Sequence, residues 1–259
     1  MLKIKNLSKT FSKNTENEKK VLKNIDLTLD DGDFVTVIGS NGAGKSTLLN
    51  CITGNLELDG GEIYLDDEKI SSAPIYKRAS YISRVFQDPL MGTSSNMTIE
   101  ENLSMALKRG GRAWLKSGKR NRAAICESLK QLNLGLEERL NNKVSLLSGG
   151  QRQAVSLLMA TIKTPKLILL DEHTSALDPA AAEKILSITE KVVAEKKITT
   201  IMITHNMADA IKYGNRLIMM DEGEIIFQAK GEEKKKLTQS LLLEKFKSAC
   251  QSDRMLLTM

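Results

Sequence analysis

Gly39-Ser40-Asn41-Gly42-Ala43-Gly44-Lys45-Ser46-Thr47 fits the pattern G-x-x-x-x-G-K-[ST], and its flanks matter more than the match itself. An apolar run at 34–38 leads into it, and a helical pattern at 45–53 leads out. Strand, glycine-rich turn and helix together point successive backbone N–H groups at an anion on a helix N-terminus. Lys45 adds a point charge suited to the β- and γ-phosphates, and the Ser46 hydroxyl is placed to ligate Mg²⁺. Residues Gly39, Ser40, Asn41, Gly42, Ala43, Gly44, Lys45, Ser46 and Thr47 are therefore read as a nucleoside triphosphate site.

Two further buried runs, 167–170 and 200–203, have the near-continuous apolar character of parallel strands covered on both faces. Each is followed by loop residues and then a helical pattern, as βα units require. Leu167-Ile168-Leu169-Leu170 ends in Asp171-Glu172. In open α/β sheets the carboxyl edge is where ligands bind, so this strand delivers two carboxylates to the nucleotide. Asp171 is read as a Mg²⁺ ligand, direct or through water, and Glu172 as the general base for an attacking water.

Towards the N-terminus the pattern changes. Leu2, Ile4 and Leu7, then Ile25, Leu27 and Leu29, then Ile63 and Leu65 after the turn Asp59-Gly60-Gly61 alternate like half-buried strands. The segment 12–20 between the first two is polar and reads as a loop. From 87 to 164 the pattern is mostly helical, with capping boxes Thr98-Ile99-Glu100-Glu101 and Ser148-Gly149-Gly150-Gln151 opening two helices. The expected architecture is α/β, with a small antiparallel β subdomain near the N-terminus and a helical subdomain inserted before the second buried strand.

The composition is that of an ordinary globular chain: 259 residues, 41% hydrophobic and 27% charged, which excludes wholesale disorder. The longest strictly apolar runs are about four residues, against roughly eighteen for a membrane span. The start, Met1-Leu2-Lys3-Ile4-Lys5, alternates apolar and charged residues and does not read as a secretory leader. Cys51, Cys126 and Cys250 have neither disulfide nor metal spacing and read as idle thiols in a reducing compartment. A net charge of +6 suits nucleic acid, an anionic membrane face or nucleotide without choosing among them. Much of the excess lies in residues 108–122, which hold seven basic residues and no acid, with Trp114 among them. That stretch is either a solvated surface or a contact with lipid headgroups or a partner's acidic loops.

Leu147-Ser148-Gly149-Gly150-Gln151, set between the phosphate loop and the Asp171-Glu172 strand, resembles the signature of the ABC ATPases. The resemblance covers about 1–231 and implies a P-loop NTPase core of ABC-ATPase type, with the helical subdomain at about 87–164 and a short helical tail at 232–259. It also implies a sandwich in which each ATP lies between one subunit's Lys45 loop and the Ser148, Gly149, Gly150 and Gln151 of the other. Phe11 stands where the family stacks an aromatic on adenine, although a core aromatic at a strand end is the alternative. Gln87 resembles the glutamine that senses Mg²⁺ and the attacking water. Asp178, in Ser175-Ala176-Leu177-Asp178, resembles the loop that crosses to the partner subunit, and Asp178-Pro179 is also an ordinary helix start. His205 matches the switch histidine at the γ-phosphate. His173 departs from the pattern, for most of the family has proline there.

Function follows from the resemblance as an expectation: an ATPase that powers import through a separate integral membrane permease, peripheral on the cytoplasmic face of the membrane. Its partners would be a second nucleotide-binding subunit, read as a second copy of this chain, and an extracytoplasmic substrate-binding protein. The wording of 39–49, 84–89, 170–174 and 213–217 is similar to a branch of bacterial importer ATPases associated with tryptophan and tyrosine transport. The alternative is an ABC ATPase bound to a scaffold or to nucleic acid. The nucleic-acid version is disfavoured by a single nucleotide domain and by the absence of sustained heptads.

Overall fold

The computed structural model describes residues 1–108 and 119–256. Most of the basic stretch, Trp114 included, lies outside the described residues, so neither reading of it is tested. The chain divides into two compact units, Met1–Ser72 with Ile201 onward, and Ala73–Thr200.

In the first unit, β1 (Leu2–Phe11), β2 (Lys19–Leu29), β4 (Gly60–Leu65) and β5 (Glu68–Lys69) form an antiparallel sheet in the order β2-β1-β4-β5. Leu2 and Ile4, and Ile25, Leu27 and Leu29, alternate and are buried, and Leu7 is buried on the far side of a register shift that follows Ile4. Between β2 and β4 come β3 (Phe34–Gly39) and α1 (Lys45–Thr53), the strand and helix that flank the glycine-rich loop.

The second unit opens with α2 (Ile75–Arg78) and β6 (Ile82–Val85) and continues through α3 (Ile99–Lys108), α4 (Lys119–Lys130) and α5 (Gly149–Thr161). It closes with β7 (Leu167–Asp171) and α6 (Pro179–Lys196), β6 and β7 pairing in parallel. Ile99 and Leu103 of α3, Ile125 and Leu129 of α4, and Ala154, Val155 and Leu158 of α5 share one core with Ile185 of α6. Both expected capping boxes form. Thr98 N–H donates to Glu101 Oε2 at 2.7 Å while Glu101 N–H donates to Thr98 Oγ1 at 3.2 Å.

β8 (Thr199–Ile203) carries the chain back into the first unit, followed by α7 (Met207–Lys212), β9 (Arg216–Asp221), β10 (Glu224–Lys230), α8 (Glu232–Lys235) and α9 (Gln239–Leu256). β9 lies parallel to β3 and antiparallel to β10. Leu237 and Leu242 at the end of the chain are buried in one cluster with Ile38, Leu217 and Met219. Lys234 of α8 is 2% exposed and donates to the carbonyls of Gly214 and Arg216 at 3.1 and 3.3 Å. The stretch 234–242 is thus bound into the unit that carries the phosphate loop. Among the described residues no helix is long and apolar enough to cross a membrane.

Candidate functional site

α1 begins at Gly44, whose φ of 95° is left-handed, and no side chain among the described residues caps this end. A Cβ on Gly44 would also meet Val21 O and Leu22 Cδ2 at 2.8 Å, so both conformation and space require glycine here. Lys45 is only 8% exposed, and its ammonium folds back to donate to Gly39 O and Ser40 O, each at 2.8 Å. The loop is thus curled around a cation at an uncapped helix N-terminus, an arrangement that favours an anion. Ser40 Oγ donates to Asp221 Oδ1 at 2.5 Å, tying the loop to the end of β9. Gly42 and Ser46 are exposed and Ala43 is buried, its carbonyl accepting from Gly223 N–H at 3.2 Å.

Two other candidates share this unit. Phe11, the last residue of β1, is 37% exposed with the Lys9 ammonium 5.7 Å from its ring centroid, so the core-aromatic alternative does not describe it. His205 follows β8 and is exposed, next to Asn206, which caps α7 by accepting from Ala208 N–H and Asp209 N–H. Thr204 N–H donates to Val37 O at 3.1 Å, which sets this turn beside β3.

Gln87, Ser148 to Gln151, Asp171, Glu172 and Asp178 belong to the second unit. Asp171 is the last residue of β7, and its Oδ2 accepts from Arg84 Nη2 at 2.5 Å. Glu172 takes a φ of 47°, unusual for a side chain other than glycine. Its carbonyl is held by Ser175, whose N–H and Oγ donate at 3.0 and 2.9 Å. Strained backbone of this kind persists where surroundings over-determine it, commonly at working sites. Asp178 caps α6, its Oδ1 accepting from Ala181 N–H at 3.0 Å. Gln87 is exposed between the end of β6 and a 3-10 turn, Pro89–Met91, that Asp88 caps.

The start of α5 is closed on itself. Gln151 N–H donates to Ser148 Oγ at 3.3 Å and Ser148 N–H donates to Gln151 Oε1 at 3.2 Å. The two glycines have a packing reason as well: a Cβ on Gly149 would meet Leu177 Cδ2, and one on Gly150 would meet Ala181 Cβ, each at 3.2 Å.

His173 is buried, 2% exposed, with Nε2 3.2 Å from Thr189 Oγ1. That hydroxyl already gives its one proton to Ile185 O at 2.8 Å, so the ring is the donor and the tautomer is Nε2–H. Burial pushes the imidazole pKa down from 6.5 to about 4, so the ring stays neutral. It joins the turn after β7 to α6 and acts here as a packing residue. The pairing with Thr189 is invisible to short-range reading, because the partner is sixteen positions away. Arg84 is equally hard to single out, although its guanidinium lies over the ring of Phe86, just past the end of β6.

The residues read as metal ligands carry oxygen donors, a hydroxyl on Ser46 in the first unit and an amide on Gln87 and a carboxylate on Asp171 in the second, and donors of this kind suit a hard cation. Among the described residues no group of three or more His, Cys, Asp and Glu could cage a metal by itself. This chemistry fits Mg²⁺, which binds through one or two protein oxygens together with substrate phosphates and water.

An uncapped glycine-rich helix start with its buried lysine, and a β-strand ending in two acids, define a P-loop nucleotide-binding protein. The ABC transporter family model matches residues 22–175. A tyrosine transport ATP-binding protein of Clostridioides difficile is 47% identical over 250 residues, covering 96% of this chain and 100% of the relative. A dimeric ATP-binding cassette in a post-hydrolysis state with ADP and Pi is 34% identical, with a TM-score of 0.77, covering 89% of this chain and 98% of that one. A further solved structure, cbiO1 from Clostridium perfringens, part of the transporter complex cbiONQ, has a TM-score of 0.78 at 26% identity, covering 100% of this chain and 98% of that one. The chain belongs to the ABC transporter family, and it is an ATP-binding, ATP-hydrolysing cassette of importer type.

Proposed function

We propose that this cassette drives import of an aromatic amino acid, tyrosine first among them, through a separate membrane permease fed by an extracytoplasmic binding protein. The observation that carries the reading is likeness along nearly the whole chain, 47% identity over 96% of its length, to a tyrosine transport ATP-binding protein. The cassette works as a dimer of two copies, peripheral on the cytoplasmic face. Residues 1–231 form the ATPase domain with its helical part at 87–164, and 232–259 are a short tail.

In this mechanism the Gly39–Thr47 loop binds the phosphates of ATP with its backbone and Lys45, and Phe11 stacks on adenine. Ser46, Gln87 and Asp171 are the residues that would hold Mg²⁺, and the ion would supply neutralisation of phosphate charge. Glu172 accepts a proton from the attacking water at its carboxylate, carried on a backbone that is left-handed at this residue. His205 contacts the γ-phosphate. Ser148, Gly149, Gly150 and Gln151 of one copy close over the ATP of the other, and Asp178 contacts the opposite copy. Glu172→Gln tests the chemistry: turnover falls by about 10³-fold while an ATP-bound dimer accumulates on a sizing column. Unchanged turnover removes Glu172 from the role of base. For the cargo, labelled tyrosine should enter cells only when the intact cassette and its permease are both present.

A further inference from the structure

β6 and β7 pair so that Arg84 stands opposite Leu169 and Val85 opposite Leu170. From one residue short of the strand end, the Arg84 side chain reaches the carboxyl edge, where its Nη2 donates to Asp171 Oδ2 at 2.5 Å. The two side chains are only 12% and 14% exposed. The same guanidinium lies over the Phe86 ring, 4.9 Å from its centroid. Phe86 O in turn accepts from Nε2 of Gln153 at 3.3 Å, a fully buried side chain of α5, and the next residue is Gln87. One planar cation therefore touches both the carboxylate read as the metal ligand and the ring of Phe86, the residue before the glutamine read as its sensor.

Packing alone does not call for an arginine at this position. A pair this far out of water pays desolvation on both charges, and an apolar residue of similar volume fills such space at least as well. What an apolar residue cannot do is fix the direction of a carboxylate through a charge-assisted hydrogen bond. Nor can it place a positive charge beside the carboxylate, which weakens the carboxylate's attraction for a second cation.

We propose that Arg84 is a positioning residue of the ATPase site. It aims Asp171, joins it to Phe86 next to Gln87, and lowers the affinity of Asp171 for a divalent cation, so that metal enters together with nucleotide phosphates rather than alone. The assignment rests on Asp171 being the metal carboxylate.

The test uses Mn²⁺ as the probe, with free ion counted by electron paramagnetic resonance, on the full chain held in excess over a non-hydrolysable ATP analogue. Four proteins are compared: wild type, Arg84→Met, Arg84→Lys and Asp171→Asn. Removing the charge in Arg84→Met should tighten Mn²⁺ binding by about tenfold, while Arg84→Lys stays within about twofold of wild type. In parallel, kcat of Arg84→Met should fall by about tenfold with KM for ATP unchanged, because aim and not nucleotide binding is lost. Arg84→Gln replaces Arg84→Met if the latter does not fold. An unchanged Mn²⁺ affinity in the uncharged variant, or the same shift in Arg84→Lys, overturns the proposal. Asp171→Asn separates the two layers. If it binds Mn²⁺ like wild type, the metal reading of Asp171 falls and the role of Arg84 with it. If it weakens Mn²⁺ while Arg84→Met shifts nothing, only the role of Arg84 falls.

Discussion

Two helices of this protein start with glycine-rich segments, and they are built in opposite ways. α1 opens at a left-handed Gly44 with no side-chain cap, and Lys45 curls over its own loop. α5 opens at Ser148 with a complete capping box and with Gly149 and Gly150 pressed towards Leu177 and Ala181. A helix N-terminus that no side chain caps awaits a partner from outside the chain, and a phosphate supplies both charge and acceptors. A capped N-terminus is satisfied already, so any phosphate contact it makes is an addition to a structure that stands without it. Similar composition thus encodes an open helix start in one place and a closed, capped one in the other.

The sharpest way to break the comparison is at Lys45. Lys45→Ala should lower kcat/KM by about 10²–10³-fold, the effect of deleting one positioned donor from a site where charge must be held, read as phosphate release. Loss of Ser148 by Ser148→Arg should also stop turnover, but for a different reason, by blocking the surface offered to the opposite copy. Mixing the two variants should restore activity, because one composite site per dimer keeps both halves intact. Recovery is the expected outcome; mixtures as inactive as either parent would show that α1 and α5 act within a single copy.

The P-loop was legible because its chemistry is local. Spacing within nine residues dictates the turn, and the flanking run 34–38 and helix 45–53 coincide with β3 and α1 to within a residue. The antiparallel strands were legible for the same reason, a two-residue period with one buried face. What sequence could not supply is pairing over distance. Arg84 meets Asp171 across eighty-seven positions, and nothing in either neighbourhood names the other. In sequence His173 is only a departure from a pattern, and the place of α6 shows it to be the donor that Thr189 needs. β9 does carry a local signal, since Leu217-Ile218-Met219-Met220 is a four-residue apolar run like 167–170 and Glu222-Gly223 follows it as a turn, but its parallel partner β3 lies about 180 positions away and is not legible from that run.

Acid should sharpen the comparison from the α5 side. Leu177 and Ala181, which crowd Gly149 and Gly150, sit at the start of α6, and His173 joins the preceding turn to that helix. The folded-state pKa of about 4 lies below the unfolded value of 6.5. Above pH 6.5 both states are neutral and the histidine contributes no pH dependence. Below it the unfolded ring takes a proton that the buried ring refuses, so stability declines until about pH 4. One proton taken up only on unfolding costs about 1.4 kcal/mol for each pH unit crossed, so the full loss is about 3 kcal/mol. Denaturant titrations of wild type and His173→Gln should show their stability difference moving against wild type by about that amount between pH 6.5 and about 4. A difference that stays constant would mean the ring is not held neutral.

The smallest expected effect separates a cap from a catalytic contact within one residue. Ser148→Ala removes the hydroxyl that accepts from Gln151 N–H, and N-cap losses of this kind cost about 1 kcal/mol. Asn or Asp at the same position would restore the cap, since both carry an acceptor of suitable reach. If Ser148 serves only as a cap, Ser148→Asp should match wild type in both melting temperature and turnover. If α5 also meets a phosphate from the opposite copy, the added carboxylate must repel it, so Ser148→Asp should melt like wild type yet hydrolyse ATP more slowly. Recovery of both properties would reduce α5 to a structural helix start. Recovery of stability alone would show that the closed capping box and the anion contact occupy the same end of the helix.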